Sequence, residues 1–139
     1  MLIVPIAISE ELHRHAEDAY PHECCGILLG LFRDSDHRET LIAIPCRNSH
    51  PEPRTHYSVA PEDLVRSQRS AREQGLTVVG FYHSHPSHPA EASSTDSAEA
   101  FWQGCSYVIV GATADGGAEL RSSFCTEEQI LVPEPLQII

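Results

Sequence analysis

The sequence predicts an α/β protein in which helices flank a mixed, mostly antiparallel sheet. Two kinds of segment alternate along the chain. Short apolar runs rich in β-branched residues are typical of buried strands, and amphipathic stretches with apolar residues three and four apart are typical of helices. Glycine and proline separate these segments. The predicted order, β-α-β-β-β-α-β-α-β-β with one further candidate strand at the end, suits helices packed on one sheet.

The first half of the chain contains four predicted strands and two predicted helices. Ser9 is a plausible N-cap for the first helix, which ends at Tyr20 and Pro21. The second helix begins at Pro61 and is closed by Gly75. The strands are predicted at residues 2–4, 23–32, 41–44 and 57–59.

The second half contains four further predicted strands and one short helix. The helix is predicted from Asp96 to Trp102, with an N-cap within residues 93–95 and Gly104 closing it. The strands are predicted at residues 76–85, 106–110, 119–124 and 129–132, with a hairpin turn at 115–117. We expect one domain over residues 1–139, in which residues 133–139 form a loose tail.

The residues that carry chemistry lie at the end of the strand predicted at 76–85 and in the segment after it. His83 and His85 are two positions apart, so both imidazoles point to the same face. Asp96 falls in the first turn of the next helix, where unpaired N–H groups favour an anion. Two histidines and a carboxylate leave one position open for water, as in catalytic zinc sites. We therefore predict that His83, His85 and Asp96 bind one catalytic zinc ion.

A His-x-His pair alone is weak evidence for a metal, because nine histidines occur in this chain. The longer pattern is more specific. His83-Ser84-His85-Pro86, Ser93 and Asp96 resemble, without a gap, the JAMM motif His-x-His-x7-Ser-x2-Asp of the Mov34/MPN/PAD-1 metallopeptidases. Residues 21–30, which include Glu23, resemble the glutamate-bearing segment of the short bacterial and archaeal members.

The resemblance covers residues 2–125 and is nearest to the stand-alone prokaryotic type, which includes sulfur-carrier (CysO-cysteine) peptidases. It implies an α/β/α MPN fold similar to cytidine deaminases. It also implies a zinc-dependent hydrolase that cleaves a peptide or isopeptide bond after the C-terminal Gly-Gly of a ubiquitin-like or sulfur-carrier protein. The connections are too short for the insertions with which eukaryotic relatives grip ubiquitin, so we expect a small prokaryotic β-grasp partner.

The same resemblance implies catalytic roles for two further residues. Glu23 is expected to act as the general acid/base, although an isolated glutamate there would indicate an exposed acid at a strand edge. Ser93 is expected to stabilise the oxyanion, although its position also suits a helix cap. His88 lies in the variable loop of the motif, and as a fourth ligand it would close the zinc site and abolish catalysis.

Two other functional hypotheses compete with a zinc peptidase. One is a catalytically silent MPN module that serves as an interaction scaffold; such members typically lack ligands or the glutamate, and this chain has all five positions. The other is a zinc deaminase, which would require His-x-Glu and Pro-Cys-x-x-Cys signatures. This chain has neither.

Composition narrows the partners and the compartment. The net charge of −11 arises from 9 basic and 20 acidic residues, without a basic patch for nucleic acid. No apolar run approaches the length needed to span a membrane, and we see no signal peptide, so we expect a cytoplasmic protein. The five cysteines are expected to be reduced and buried, with one bridged pair as the alternative.

Overall fold

The computed structural model describes residues 1–93, 96, 102–112 and 118–139. Within that part of the chain, two helices accompany an eight-stranded sheet. The helices are α1 (Ile6–Ala19) and α2 (Pro61–Glu73). The strands are β1 (Leu2–Val4), β2 (Cys25–Phe32), β3 (Arg38–Cys46), β4 (Thr77–His85), β5 (Ser106–Ala112), β6 (Ala118–Cys125), β7 (Leu131–Glu134) and β8 (Leu136–Ile138). No helix in the described ranges is long and apolar enough to cross a bilayer.

The sheet is mixed, which confirms the predicted α/β class. Its order is β7-β6-β5-β4-β2-β3-β1-β8. β2 pairs antiparallel with β3 and β4, and β6 pairs antiparallel with β5 and β7. The pairs β4–β5, β1–β3 and β1–β8 are parallel. Strand β4 therefore lies near the centre of the sheet, between β2 and β5.

The hydrophobic core lies on both faces of this sheet. Alternate residues of a strand point to opposite faces. Cys25, Ile27 and Leu29 accordingly belong to a cluster with residues of α2, whereas Cys24 and Leu28 belong to a cluster with residues of α1. Because both faces are covered, β4 is buried along all but its first residue. A strand buried in this way appears in the sequence as a continuous apolar run, which is why β4 was predictable.

Some local predictions are wrong. Helix α1 begins at Ile6, directly after Pro5, and Ser9 lies inside it, with its N–H donating to the Pro5 carbonyl at 3.0 Å. The fixed φ of proline suits a residue that precedes a helix, so the helix starts earlier than Ser9.

The strand predicted at 57–59 is a single bridge between Asn48 and Val59. The helix predicted at 96–102, apart from its two end residues, and the turn at 115–117 lie outside the described residues.

The prediction of a loose tail over residues 133–139 is also wrong. This segment forms the end of β7 and all of β8, and only Pro135 separates the two strands. Because β7 and β8 stand at opposite ends of the sheet order, the sheet curls until its two edges approach each other. Backbone bonds from Leu2 N–H to the Pro135 carbonyl (3.0 Å) and from Ile6 N–H to the Ile139 carbonyl (2.8 Å) attach the tail to the N-terminal segment.

A buried ion pair joins the edge strand β7 to β3 across the curled sheet. The side chains of Arg38 on β3 and Glu134 on β7 are 3% and 6% exposed and form a salt bridge. Glu134 also accepts hydrogen bonds from the hydroxyls of Ser106 (2.7 Å) and Ser122 (2.8 Å). Burial alone would raise the pKa of Glu134, but these hydroxyls and the Arg38 charge outweigh it and lower that pKa. Glu134 is therefore ionised and holds β7 against Arg38 of β3 in the curled sheet.

Candidate active site

Strand β4 ends in two buried histidines. His83 and His85 are 2% and 3% exposed, and they pair across the sheet with Cys25 of β2 and Gly111 of β5 respectively. At Gly111 a Cβ atom would overlap the backbone of Ala90, so the loop that follows β4 packs directly on β5. The rigid centre of the sheet thus fixes both imidazoles, and a closely packed loop covers them.

Asp96 meets both histidines. The Nε2 atom of His83 lies 3.1 Å from Oδ1 of Asp96, and the Nε2 atom of His85 lies 3.1 Å from Oδ2. The two Nε2 atoms are 3.2 Å apart. Donor atoms around a tetrahedral zinc ion with bonds of 2.0–2.1 Å stand about 3.3 Å from one another. The three side chains predicted as ligands therefore converge at a spacing that suits one metal ion.

A backbone carbonyl sets the tautomer of His85. The Nδ1 atom of His85 lies 2.8 Å from the carbonyl oxygen of Pro89. Because a carbonyl can only accept, Nδ1–H donates this bond, and Nε2 presents its lone pair to Asp96 and His83 when the ring is neutral. An outer hydrogen bond of this kind commonly orients a metal-binding histidine. The other ring, that of His83, stacks on Tyr57 with centroids 4.2 Å apart.

The charges of this cluster favour a cation. The lone pair of His85 Nε2 and the acceptor-only carboxylate of Asp96 repel each other unless a positive charge lies between them. Burial alone would lower the pKa of His85, but the Asp96 carboxylate, the Pro89 carbonyl and the charge of Glu23 raise it. Burial would likewise raise the pKa of Asp96, but bonds with His83 and His85 hold it far below its usual range. Two imidazoles and a carboxylate are a donor set that suits zinc.

Ser93 and Asp96 form a reciprocal capping pair. The Oγ atom of Ser93 accepts a hydrogen bond from the backbone N–H of Asp96 at 3.0 Å, and the Asp96 carboxylate accepts one from the Ser93 N–H at 2.8 Å. This is the hydrogen-bond pattern of a capping box. It holds the Asp96 carboxylate towards the histidines. The bond uses an acceptor of Ser93, so the hydroxyl hydrogen is not consumed by it.

Glu23 lies beside the cluster and is buried. It is 3% exposed, which excludes the alternative of an exposed acid at the strand edge. The antiparallel register pairs Cys25 with His83, and Ser84 N–H continues the ladder to the Cys24 carbonyl at 3.1 Å. Glu23 directly precedes this pair, and its charge adds to the effects of Asp96 and Pro89 that raise the pKa of His85, so its carboxylate lies near that ring.

His88 does not belong to the three-residue group. Its ring stacks on that of His85, with centroids 4.4 Å apart, and it is exposed. In the described residues a second group consists of His50, Glu52 and His56. There His50 Nδ1 accepts a hydrogen bond from the Glu52 N–H at 2.9 Å, so Nε2 carries the hydrogen of the neutral ring. The His50 and His56 rings are also nearly parallel, at 10°, so their lone pairs do not converge.

Sequence reasoning missed three residues of this region: Asn48, Tyr57 and Pro89. Pro89 contributes only a backbone carbonyl, which any residue type could supply. Tyr57 and Asn48 lie in the connection between β3 and α2, where no periodicity predicts which side chains point inward. The polar composition of residues 48–54 predicts a loop but not the contact of that loop with Glu23.

The fold and the three converging side chains define a known class of protein. The chain belongs to the family of prokaryotic homologs of the JAB domain, whose family model matches residues 5–125. It is 42% identical over 89 residues to the desampylase of Haloferax volcanii, matching 64% of this chain and 62% of that protein. It therefore spans less than two thirds of that relative.

Two further relatives extend the similarity. The chain is 36% identical over 111 residues to a probable TtuB-protein conjugate cleaving protease of Thermus thermophilus, which covers 80% of this chain and 70% of that protein. It is 27% identical to the CysO-cysteine peptidase of Mycobacterium tuberculosis, over 100% of this chain and 92% of that protein.

Solved structures show the same fold. A Desulfitobacterium hafniense protein superposes with a TM-score of 0.87 at 29% identity, covering 100% of this chain and 93% of that chain. A JAB1/MPN domain protein of Archaeoglobus fulgidus superposes with a TM-score of 0.61 at 16% identity, covering 100% of this chain and 97% of that chain. The mixed sheet with its two helices is thus the JAB1/MPN arrangement.

Proposed function

We propose that this protein is a zinc-dependent hydrolase that cleaves the peptide or isopeptide bond after the C-terminal Gly-Gly of a small ubiquitin-like or sulfur-carrier protein. The observation that carries this proposal is the convergence of His83, His85 and Asp96 next to the buried Glu23. The names of the relatives support the choice of substrate, since they act on TtuB conjugates and on CysO-cysteine or are called a desampylase.

The chain supplies a ligand set, a base and an oxyanion donor. A zinc ion held by His83, His85 and Asp96 would provide an acidified water, with a pKa near 7, and a Lewis acid for the scissile carbonyl. Glu23 accepts the proton from the attacking water and delivers it to the leaving amine. Ser93 donates its hydroxyl hydrogen to the oxyanion, while its oxygen keeps the capping bond with the Asp96 N–H.

Burial of the site favours a substrate without side chains next to the bond. The histidines and Glu23 are each no more than 3% exposed, so the reacting carbonyl has to reach side chains that are almost fully covered. Two glycines before that carbonyl add no side-chain bulk and adopt any backbone conformation that the approach requires. This supports a Gly-Gly end as the acyl side of the substrate.

The test is a cleavage assay on small β-grasp proteins, each extended past Gly-Gly by a cysteine or a short peptide and followed by mass. We expect wild-type protein to trim them to the Gly-Gly end. Glu23→Gln should keep its fold and its zinc but lose at least about 100-fold in turnover, because general acid–base catalysis contributes about 10²–10⁴-fold. Glu91→Gln is the matched control, since Glu91 is exposed in the loop after β4.

Three outcomes contradict parts of this account. Full activity of Glu23→Gln would remove Glu23 from the mechanism. Equal losses in Glu23→Gln and Glu91→Gln would mean that the effect is one of charge rather than of proton transfer. Failure of zinc-loaded wild-type protein to cleave any of the substrates would contradict the hydrolase and favour a catalytically silent interaction scaffold.

A further inference from the structure

Glu23 lies where its neighbouring strand has ended. The last residue of β3 is Cys46, which pairs with Cys25. Two residues before Cys25, the Glu23 N–H donates to the carbonyl of Pro53 at 2.7 Å, and the Glu23 carbonyl accepts from the side-chain Nδ2 of Asn48 at 2.9 Å. The connection between β3 and α2 therefore supplies the hydrogen bonds that β3 would otherwise have made.

Asn48 is the centre of this connection. Its Nδ2 donates to the carbonyls of Glu23 and His56, both at 2.9 Å. Its Oδ1 accepts from the N–H groups of His50 and Ser58, both at 3.1 Å. Carbonyls can only accept and N–H groups can only donate, so the orientation of the amide is fixed by its partners. All four hydrogen-bonding positions of the side chain are thus used.

The other side of the Glu23 segment is held by β4. The Cys24 N–H donates to Oγ of Ser84 at 2.8 Å, and the Ser84 N–H donates to the Cys24 carbonyl at 3.1 Å. The connection to α2 also reaches the metal cluster, because Tyr57 stacks on His83. Asn48 therefore closes a loop that contacts both the proposed base and one proposed ligand.

From these contacts we infer that Asn48 is a positioning residue that holds Glu23 beside the cluster of His83, His85 and Asp96. The inference rests on the function proposed above. Asn48 acts through the backbone of Glu23 and not on the substrate. With the bond to the Glu23 carbonyl removed, the acidic side chain loses its fixed place relative to the reacting carbonyl, and misplacement by about 1 Å can cost about 100-fold in rate.

The experiment compares Asn48→Ala with Ser49→Ala, using the cysteine-extended β-grasp substrate. Ser49 donates its hydroxyl to the Ser58 carbonyl at 3.1 Å in the same loop but does not contact Glu23, so it is a matched control. We expect Asn48→Ala to bind one zinc ion per chain, to keep KM within about twofold and to lose about 10- to 100-fold in kcat. Ser49→Ala should match wild type.

A second readout does not depend on turnover. Hydrogen exchange of the Glu23 backbone amide, which donates to Pro53, should accelerate in Asn48→Ala and stay unchanged in Ser49→Ala. If Asn48→Ala fails to fold, Asn48→Asp replaces it. That variant keeps the two acceptor bonds from His50 and Ser58 and removes both donors, so the same loss of kcat and faster exchange are expected.

The two proposals fail differently. Wild-type kcat in a zinc-loaded Asn48 variant, or unchanged exchange of the Glu23 amide, would overturn the positioning role while the hydrolase stands. Wild-type protein that cleaves nothing would contradict the hydrolase. The amide exchange would then still decide whether Asn48 holds Glu23.

Discussion

At the scale of single residues, His83 and His88 show how position separates a proposed metal ligand from a neighbouring histidine. Both are histidines near His85, and both rings lie within 5.0 Å of its centroid. Only the Nε2 atom of His83 joins the triangle of donor atoms with Asp96. The exposed ring of His88 lies flat against His85 instead.

This difference predicts the metal content of two alanine variants. His83→Ala should fold but lose its zinc, because a site with two remaining protein ligands is incomplete. His88→Ala is the control and should retain one zinc ion per chain. The check is the zinc-to-protein ratio after gel filtration, measured by elemental analysis. Undiminished zinc in His83→Ala, or loss of zinc in His88→Ala, would show that the ligand set is wrong.

Residue identities in the site were predictable to different degrees. His83, His85 and Asp96 could be predicted as a group because their spacing follows from a strand and a helix start, which are local structures. Asn48 could not be predicted, because its importance depends on β2 and β3 ending together at the Cys25–Cys46 pair, so that Glu23 bonds to the loop instead of to a strand. No local pattern carries that information.

At the scale of elements, the loop after β4 is a part of the site. Its Pro89 carbonyl fixes the His85 ring, and its Ala90 backbone packs against Gly111 of β5. Glycine is required at position 111 because a Cβ atom there would overlap the Ala90 backbone. The orientation of His85, a proposed metal ligand, thus depends on a contact between this loop and β5.

We therefore expect Gly111→Ala to weaken zinc binding by about 10- to 100-fold, the cost typical of a lost outer-shell contact. The measurement is competition with a chromophoric chelator, using folded protein only. Gly80→Ala is the matched control. A Cβ atom at position 80 of β4 would press on the Ser106 carbonyl of β5, away from the loop. Gly80→Ala should therefore lower the stability of the fold but leave the zinc affinity nearly unchanged. Equal loss of affinity in both variants would contradict the proposed role of the loop.

At the scale of the whole molecule, the curled sheet explains why the tail prediction failed. Leucine and isoleucine near a chain end, interrupted by Pro133 and Pro135, gave no clear strand pattern. The tail is ordered because Glu134 meets Arg38, which lies 96 residues earlier in the chain, and because β8 pairs with β1. Pairings over such distances leave no signature in the local sequence.

The buried pair predicts a stability difference. Glu134→Gln should lower the free energy of unfolding by roughly 3 kcal/mol, since it leaves the Arg38 charge buried without its partner. Arg121→Gln breaks an exposed ion pair with Glu119 and should change the free energy of unfolding by no more than about 0.5 kcal/mol. Urea denaturation at neutral pH measures both. Similar free energies of unfolding for the two variants would mean that the Arg38–Glu134 pair does not stabilise the curled sheet.

Acid titration gives the same pair a second signature. The pKa of Glu134 is lowered in the folded protein, so its contribution to stability is fully present above the ordinary glutamate value of about 4.3. That contribution is lost as the pH falls through the lowered value. The free energy of unfolding of Glu134→Gln should therefore depend less steeply on pH in this range than that of wild type. An identical pH dependence in the two proteins would contradict the lowered pKa of Glu134.

The most direct test of the central claim joins metal content to cleavage in one experiment. Wild-type protein is stripped with a chelator, its metal content is measured by native mass spectrometry, and cleavage of a cysteine-extended β-grasp protein is followed before and after one equivalent of zinc is returned. We expect no cleavage without metal, and full recovery when one zinc ion is bound per chain. Unchanged cleavage by protein shown to be free of metal would overturn the zinc-dependent hydrolase.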